Sequence, residues 1–445
     1  MSRMVRLLVC FVSLSLVASA YGQDLQSERS RMIGILRTVS SDIEKNFYDP
    51  GLKGLDWKAL TSATEDRIKK SNNPSEMVTA IFSFVEKLQD SHTKFLPPSR
   101  ASHPLFGFNA KPFGDDVRIY QIKTNSAAAA AGLQPGDKIV GIDTFTAERN
   151  SFDLMMLYFH LLHPVPEMKI TYQRGDAPPQ TVLLQAKIKN EPRVVDFSTD
   201  ENIWRAIYES ETERVDYFND FPDKVGYLGV SDFDTEEVLV VNKLDSPAAV
   251  VVDLRGNGGG LQSALLEFAG HFEPEATTMG DVVSRKKTEP LKIKPQKPTI
   301  AVPMVILVDS RTASAAEMFA RHFQRQGRAI VVGDRSSGRV NSSRFFSEHI
   351  GAELIVPFGV QISVGKVVFP GGEELEHHGV VPDIPCVPSG DDLRQHLDPC
   401  LAKAIAAARA KAGLPPLSPA GIAQVNGFAT LVEADRQQRL DKTRD

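Results

Sequence analysis

The sequence predicts an α/β core set behind a helical segment and a small β-rich segment, and three observations predict it. First, the runs Ala249-Val-Val-Val-Asp-Leu254, Ile300 to Val308 and Arg328-Ala-Ile-Val-Val-Gly333 are almost continuously apolar, as strands buried on both faces are. Second, Gln262 to Phe268 and Ala315 to Phe323 carry apolar residues at helical spacing between those runs. Third, the joints are turns of glycine and small residues. Strands that alternate with helices pack as a sheet covered by helices.

The length of 445 residues leads to an expectation of roughly three domains. A hydrophobic share of 42% suits an ordinary packed core, and a net charge of -5 at pH 7 points to no special partner. No basic stripe argues for nucleic acid. No Cys/His cluster has metal-ligand spacing, so neither a metal nor a cofactor is expected. Nothing in the sequence indicates an oligomeric state.

In chain order, Arg3 and Arg6 precede the apolar run Leu7 to Val17, and small residues follow to Gly22. This is the pattern of a secretory signal peptide over residues 1–22, and it predicts an exported protein, periplasmic or secreted. The run is too short for stable membrane insertion. Cys10 lies inside it, away from any lipid-attachment position. Cys386 and Cys400 would then meet an oxidising compartment, either as a disulfide or as two buried thiols.

Residues 23–100 predict a helical domain. Met32, Ile33, Ile35, Leu36, Val39, Ile43 and Phe47 form one stripe, and Met77 to Val85 form another. Tyr48-Asp-Pro-Gly51 breaks the chain between them, and Asp56 or Thr61 starts the next helix. The domain ends at Pro97-Pro98, just past the loop residue His92 and its hydroxyl neighbours Ser91 and Thr93. A lone histidine is ordinarily structural, but a loop position beside two hydroxyls suits a functional one.

Residues 101–190 alternate in short runs, at Val117 to Ile122, Lys138 to Ile142, Met168 to Tyr172 and Thr181 to Leu184. This segment resembles a PDZ domain through Phe106-Gly107-Phe108 and through Ser126-Ala-Ala-Ala-Ala-Ala-Gly-Leu-Gln-Pro-Gly-Asp-Lys-Ile139. The resemblance implies a loop at Phe106, Gly107 and Phe108 that takes a peptide by its C-terminus, the peptide adding a strand to the sheet edge. A small β-domain whose groove is used only for packing is the plain alternative.

Residues 191–412 hold the α/β core, entered through a polar linker from Asp196 to Asp216. Val225 to Phe233 reads as a strand, as do Ala352 to Pro357 and Val360 to Val364. The strand at Ala249 runs into Arg255-Gly-Asn-Gly-Gly-Gly-Leu261. This loop has neither the dinucleotide-binding glycine frame nor a P-loop lysine, whereas flexible backbone N–H groups suit an oxyanion. At Arg311-Thr-Ala-Ser-Ala-Ala-Glu317 a small-residue turn joins a buried strand to a helix. A hydroxyl there either caps the helix or stands as a nucleophile at its positive end. Leu393 to Ala412 predicts an alanine-rich helix, and residues 413–445 a loose tail.

With this order visible, the chain resembles the C-terminal processing peptidases, or tail-specific proteases. The resemblance rests on Leu88-Gln-Asp-Ser-His-Thr93, the PDZ insert, Asp253 to Gly260, Thr312 to Glu317 and Gly379-Val-Val-Pro-Asp383. It implies a crotonase-like, ClpP-like core with an N-terminal helical domain and an inserted PDZ domain. It implies Ser314 as the nucleophile of a serine endopeptidase acting on polypeptides or peptides. The oxyanion would be held by backbone N–H groups of Gly259, Gly260 and Ala315.

One position departs from the family's Ser-Lys pattern. Where that branch carries its lysine, in Gly333 to Asn341, this chain has Arg339, and Ser343 stands where a glutamine is expected. Arginine stays protonated and is no general base. Lys366 is the nearest substitute in sequence, without a family motif behind it. The chain is closer to the tricorn-like Ser-His branch, which implies His92 as base, supported by Ser91. Glu376 would be the orienting carboxylate, with Glu373 and Glu374 as close rivals. His377 and His378 read as loop residues. The alternative is a catalytically inactive relative that binds peptides through the PDZ groove. A carrier of apolar ligands, like the retinoid-binding relatives of the superfamily, is a third class.

Overall fold

The computed structural model describes residues 3–98, 102–190, 215–233, 241–351 and 356–442. The chain divides into one unit of residues 1–100, 192–208 and 343–364, and another of residues 101–191, 209–342 and 365–445.

The first unit opens with helix α1 (Arg3–Asn46), followed by α2 (Trp57–Lys70), α3 (Pro74–Val85) and strand β1 (Lys94–Leu96). The predicted stripe buries Met32, Ile35, Leu36, Val39, Ile43 and Phe47, while Ile33 stays half-buried. The break falls at Tyr48 to Gly51, and Asp56 caps α2 by accepting the Ala59 N–H at 3.0 Å. Asn73 caps α3 in the same way, with Pro74 at the first helical position, where its missing N–H costs nothing. Trp57 packs on Phe84 and donates Nε1–H to the Ser40 carbonyl at 3.1 Å. β1 pairs antiparallel with Gly359 to Gln361 of the long strand Val356–Val368. The sequence separates that strand into two, but Val356 to Val368 runs unbroken; Ala352 to Leu354 of the first predicted strand, with Ile355, lie outside the described residues.

The second unit holds a β-rich segment and the α/β core. The segment begins with β2 (Ser102–Leu105), β3 (Phe108–Phe113), β4 (Asp116–Ile122) and the short helix α4 (Ala127–Ala130). It continues through β5 (Lys138–Ile142), β6 (Phe145–Thr146), α5 (Phe152–Leu157), β7 (Glu167–Gln173), β8 (Gln180–Gln185) and β9 (Lys187–Asn190). The sheet runs β3-β4-β5-β7-β8 with antiparallel neighbours, so β3 is an edge strand. Alternation buries Val117, Ile119, Ile139, Ile142, Met168, Ile170 and Leu184 on one face, as the sequence predicts.

The core runs in chain order through β10 (Tyr217–Phe221), β11 (Val225–Gly229), β12 (Ala249–Asp253), helix α6 (Gln262–Gly270), a hairpin of β13 (Thr277–Ser284) and β14 (Thr288–Ile293), β15 (Met304–Val308), α7 (Ala315–Arg325) and β16 (Ala329–Gly333), and the hairpin lies outside the core sheet. Its order is β10-β11-β12-β15-β16 and then Ile384–Pro385; only the β10 pairing is antiparallel. β15 begins after Pro303 rather than at Ile300, because proline has no N–H for the ladder. Every residue of β11, β12 and β15 is buried, since both faces are covered. On one face Phe268, Phe272, Phe319 and Phe323 of α6, α7 and the turn after α6 pack ring against ring.

The other face is covered by the C-terminal helices, where the structure corrects two expectations. Leu393 to Ala412 is two helices, α8 (Gly390–Arg394) and α9 (Pro399–Lys411), because Asp398 caps a fresh start by accepting the Leu401 N–H at 2.9 Å. The expected loose tail is helix α10 (Pro419–Lys442), whose Phe428 stacks edge-on to Phe221 and Tyr227. Cys386 and Cys400 form a disulfide with a Cα–Cα distance of 5.6 Å. Among the described residues no helix is long and apolar enough to cross a membrane.

Candidate active site

Parallel strands β12 and β15 end side by side, with Asp253 opposite Leu307, so the loops that leave them meet. The first is the glycine loop from Arg255 to Leu261, the second the turn Asp309 to Ala313 that leads into α7. Thr312 is fully buried, and its hydroxyl donates to the Leu254 carbonyl at 2.8 Å and accepts the Asp309 N–H at 2.9 Å. It therefore staples the turn to the end of β12 and does not cap α7. The Asp309 carboxylate accepts N–H bonds from Gly256, Arg311 and Thr312 at 2.9, 3.0 and 3.1 Å and pairs with Lys111. Burial alone raises that carboxyl, but the Lys111 ammonium and the backbone donors hold it well below the usual carboxylate range.

Ser314 follows with φ 55° and ψ -121°, backbone space that a non-glycine residue rarely occupies. The strain is held by its surroundings. The Ser314 N–H donates to the Arg339 carbonyl at 2.6 Å and to Glu317 Oε2 at 3.1 Å. Glu317 is fully buried and also accepts the N–H groups of Gly338 at 2.7 Å and Arg339 at 2.8 Å, and the Ser336 hydroxyl. Burial pushes its carboxyl up to about 7, against the pull of these donors.

Gly259 and Gly260 press the glycine loop onto this turn. A Cβ on Gly259, at φ +104°, would lie 2.6 Å from Ser314 Cβ, and one on Gly260 would lie 2.3 Å from the Phe233 carbonyl oxygen. Only glycine fits either place. The three expected donors are not equivalent. The Gly259 N–H donates to Asn257 Oδ1 at 2.8 Å. Among the described residues no acceptor meets the Gly260 or Ala315 N–H groups. The Ala315 N–H opens the first turn of α7, where amides have no helical partner.

Arg339 accepts the Ser314 N–H through its backbone carbonyl. Its guanidinium donates to Asp153 Oδ2 of α5 at 2.9 Å. Lys366 pairs with Glu374 at 2.8 Å, and Glu373 pairs with Arg321 and Arg325 on the later turns of α7. Glu376, nearly buried, accepts the Val340 N–H at 3.0 Å, one residue past Arg339. His377 is mostly exposed, and His378 Nδ1 lies 2.8 Å from the Glu376 carbonyl oxygen, as loop residues would.

His92 belongs to the first unit. Its Nδ1 lies 2.9 Å from Ser91 Oγ, and its N–H donates to Asp90 Oδ1 at 3.3 Å. Asp90 is buried and also accepts the Thr93 hydroxyl at 2.8 Å and the Ser363 hydroxyl, which pins the loop. In the β-rich segment the Gly107 carbonyl accepts the Lys123 N–H at 3.0 Å, and the Phe106 carbonyl accepts the Ala128 N–H at 3.0 Å. The Phe106 ring is buried edge-on to His160, whose imidazole is pushed down to about 4 by burial and by neighbouring His103. Phe108 starts β3, and the outward carbonyls of that edge strand are engaged. Ala110 O accepts Arg311 at 2.8 Å, and Pro112 O accepts the Ser310 hydroxyl.

The second unit thus gathers Ser314, Gly259, Gly260, Ala315 and Glu376. Sequence reasoning missed Asn257 and Glu317 although both lie inside its motifs. The spacing of Glu317, three residues after Ser314, is a capping-box signal that could have found it.

Residues 224–386 match a family model described as Peptidase family S41. The chain is 24% identical over 352 residues to the carboxyl-terminal-processing peptidase 1 of Arabidopsis thaliana chloroplasts, covering 75% of this chain and 66% of the relative. It is 26% identical over 367 residues to a carboxyl-terminal-processing protease of Picosynechococcus sp., covering 78% of this chain and 82% of that one. Among solved structures, mature CPAF superposes with a TM-score of 0.62 at 13% identity, over 83% of this chain and 94% of the other, which is a likeness of fold.

Proposed function

We propose that this chain, a homologue of the carboxyl-terminal processing proteases with a Peptidase family S41 segment at residues 224–386, is an exported serine endopeptidase that uses a Ser-His mechanism. The observation that carries the reading is the Ser314 elbow. A serine at positive φ stands at the N-terminus of α7, in contact with the glycine loop and beside open backbone donors. A serine that only capped the helix would not call for that strain.

In the proposed reaction Ser314 Oγ attacks the scissile carbonyl carbon, and His92 accepts the hydroxyl proton. With Nδ1–H given to Ser91 Oγ, His92 Nε2 carries the lone pair a base needs. The carbonyl oxygen becomes an oxyanion, held by N–H groups of the glycine loop and of Ala315. The imidazolium then returns its proton to the leaving amine as the C–N bond breaks. Water, deprotonated by the same imidazole, hydrolyses the acyl ester and restores Ser314. Glu376 orients the ring, directly or through a hydroxyl. Lys366 and Arg339 are poor rivals for the base, the first engaged by Glu374, the second always protonated. The substrate is a polypeptide whose C-terminus the PDZ-like segment takes through Phe106, Gly107 and Phe108. A signal peptide over residues 1–22 delivers the protein to the periplasm or beyond.

Arg339 in an ion pair with Asp153 is what favours the second reading, an inactive peptide-binding relative. One experiment separates the two. Cleavage of fluorescent casein by the mature protein should fall by 10³-fold or more in Ser314→Ala and His92→Ala, and by less than about threefold in Arg339→Ala. A wild type that cleaves nothing yet binds C-terminal peptides supports the inactive relative. Full activity in His92→Ala refutes the Ser-His mechanism.

A further inference from the structure

The Asn257 side chain bonds to the glycine loop while its backbone carbonyl bonds to the serine turn. It is fully buried and every polar group it has is engaged. Its Oδ1 accepts the Gly259 N–H at 2.8 Å, and its Nδ2 donates to the Val230 carbonyl at 3.0 Å. Its own carbonyl accepts the Ala313 N–H at 2.9 Å, one residue before Ser314, and its N–H donates to the Leu254 carbonyl at 3.1 Å. Three segments therefore meet on one side chain and its peptide groups: the residue after β11, the glycine loop and the turn before α7.

We infer that Asn257 is a positioning residue for the oxyanion hole, and that the hole is built from the Gly260 and Ala315 N–H groups without that of Gly259. The inference deepens the proposed function and rests on Ser314 as nucleophile. The Gly259 carbonyl and the Gly260 N–H belong to one trans peptide and point opposite ways, so a carbonyl engaged by Phe233 turns the Gly260 N–H away from Phe233. The Phe233 N–H donates to the Gly259 carbonyl and the Leu261 N–H donates to the Phe233 carbonyl, both at 2.8 Å. These bonds fix the peptide planes on either side of Gly260. The Gly260 N–H is left without an acceptor between them, and the Asn257–Ala313 bond sets the loop's distance from the serine. Donors that are already aimed need no rearrangement as charge develops, which is what makes such a hole effective. An amide already given to an asparagine side chain would first have to break that bond.

The inference is tested with a fluorophosphonate probe, which phosphonylates a serine nucleophile and places its oxygen where the oxyanion sits. Wild type, Asn257→Ala and Asn257→Asp are compared below their melting temperatures for labelling rate and for kcat and KM on casein-derived peptides. Asn257→Ala should lower labelling rate and kcat about 10- to 100-fold and leave KM within about threefold. Asn257→Asp keeps the acceptor for Gly259 and should recover most of the loss. A merely structural asparagine would give the reverse order, because aspartate buries a charge against the Val230 carbonyl. Amide exchange in the wild type gives a readout that needs no variant. Phosphonylation should slow exchange at Gly260 and Ala315 and leave Gly259 unchanged. Equal slowing at Gly259, or aspartate no better than alanine, overturns the inference. Absence of labelling at Ser314 in the wild type overturns instead the nucleophile on which it rests.

Discussion

Glu317 shows how one residue can serve both backbone strain and proton balance. Its carboxylate gathers the Ser314, Gly338 and Arg339 N–H groups and the Ser336 hydroxyl, so the strained serine and the Arg339 loop share one acceptor. Burial nevertheless raises its carboxyl from 4.5 to about 7. Between those values the folded chain holds a proton that the unfolded chain has released, so this group's contribution to stability falls as pH rises through the window. The full shift amounts to about 3 kcal/mol. Denaturant unfolding at pH 5 and pH 8 checks it. The stability of wild type relative to Glu317→Gln should drop by about 2–3 kcal/mol between the two, and a constant difference would refute the raised carboxyl. Ser314 itself was readable from a small-residue turn between a buried strand and a helix. Asn257 was not, because its bonds to Val230 and Gly259 join segments that only folding brings together.

At the scale of elements, the strands and helices of the core were legible because complete burial makes a strand continuously apolar and a covering helix one-sided. The C-terminal helices were legible only in part. Helix α10 buries Val425, Val432 and Leu440 but leaves Ile422 and Leu431 exposed, so no single apolar stripe marks it. What holds it is tertiary packing. Phe428 sits 5.5 Å from Phe221 and 5.0 Å from Tyr227, and the Tyr217 hydroxyl donates to Asp435 at 2.8 Å. Further along, Gln437 Nε2 donates to the Ile122 carbonyl at 2.9 Å and Asp441 accepts the Thr124 N–H at 2.8 Å, so the helix runs from the core sheet to the β-rich segment. Phe428→Ala should cost about 2–4 kcal/mol in denaturant unfolding. A loss below 0.5 kcal/mol would mean that the helix is not docked as described.

Across the molecule, a chain of contacts links the disulfide to the glycine loop. Cys400 lies in the first turn of α9, and the cap of that helix, Asp398, accepts both Arg255 Nη1 at 2.9 Å and Nη2 at 2.7 Å. Arg255 in turn holds Asp253 at the end of β12. A half-buried arginine shared by two carboxylates is destabilising to leave half-paired. The bridge closes a loop of sequence separation 14. Removing it through Cys386→Ser with Cys400→Ser should lower unfolding free energy by about 3 kcal/mol. An unchanged denaturation midpoint would show that the bridge constrains nothing the sheet does not already hold.

The sequence by itself determined what repeats along the chain: the helical stripe before residue 100, the alternation of the β-rich segment, the buried strands of the core and the small-residue turn at Ser314. These are local periodicities, and burial imposes them residue by residue. It also determined that Arg339 supplies no general base, because no protein setting deprotonates a guanidinium. The tertiary structure decided which groups share a hydrogen bond or an ion pair. Glu373 and Glu374 pair with the arginines of α7 and with Lys366 whereas Glu376 accepts the Val340 N–H, and the Gly259 N–H is given to Asn257 whereas that of Gly260 is not. Such choices depend on hydrogen-bond directions between distant segments, which composition and spacing do not encode.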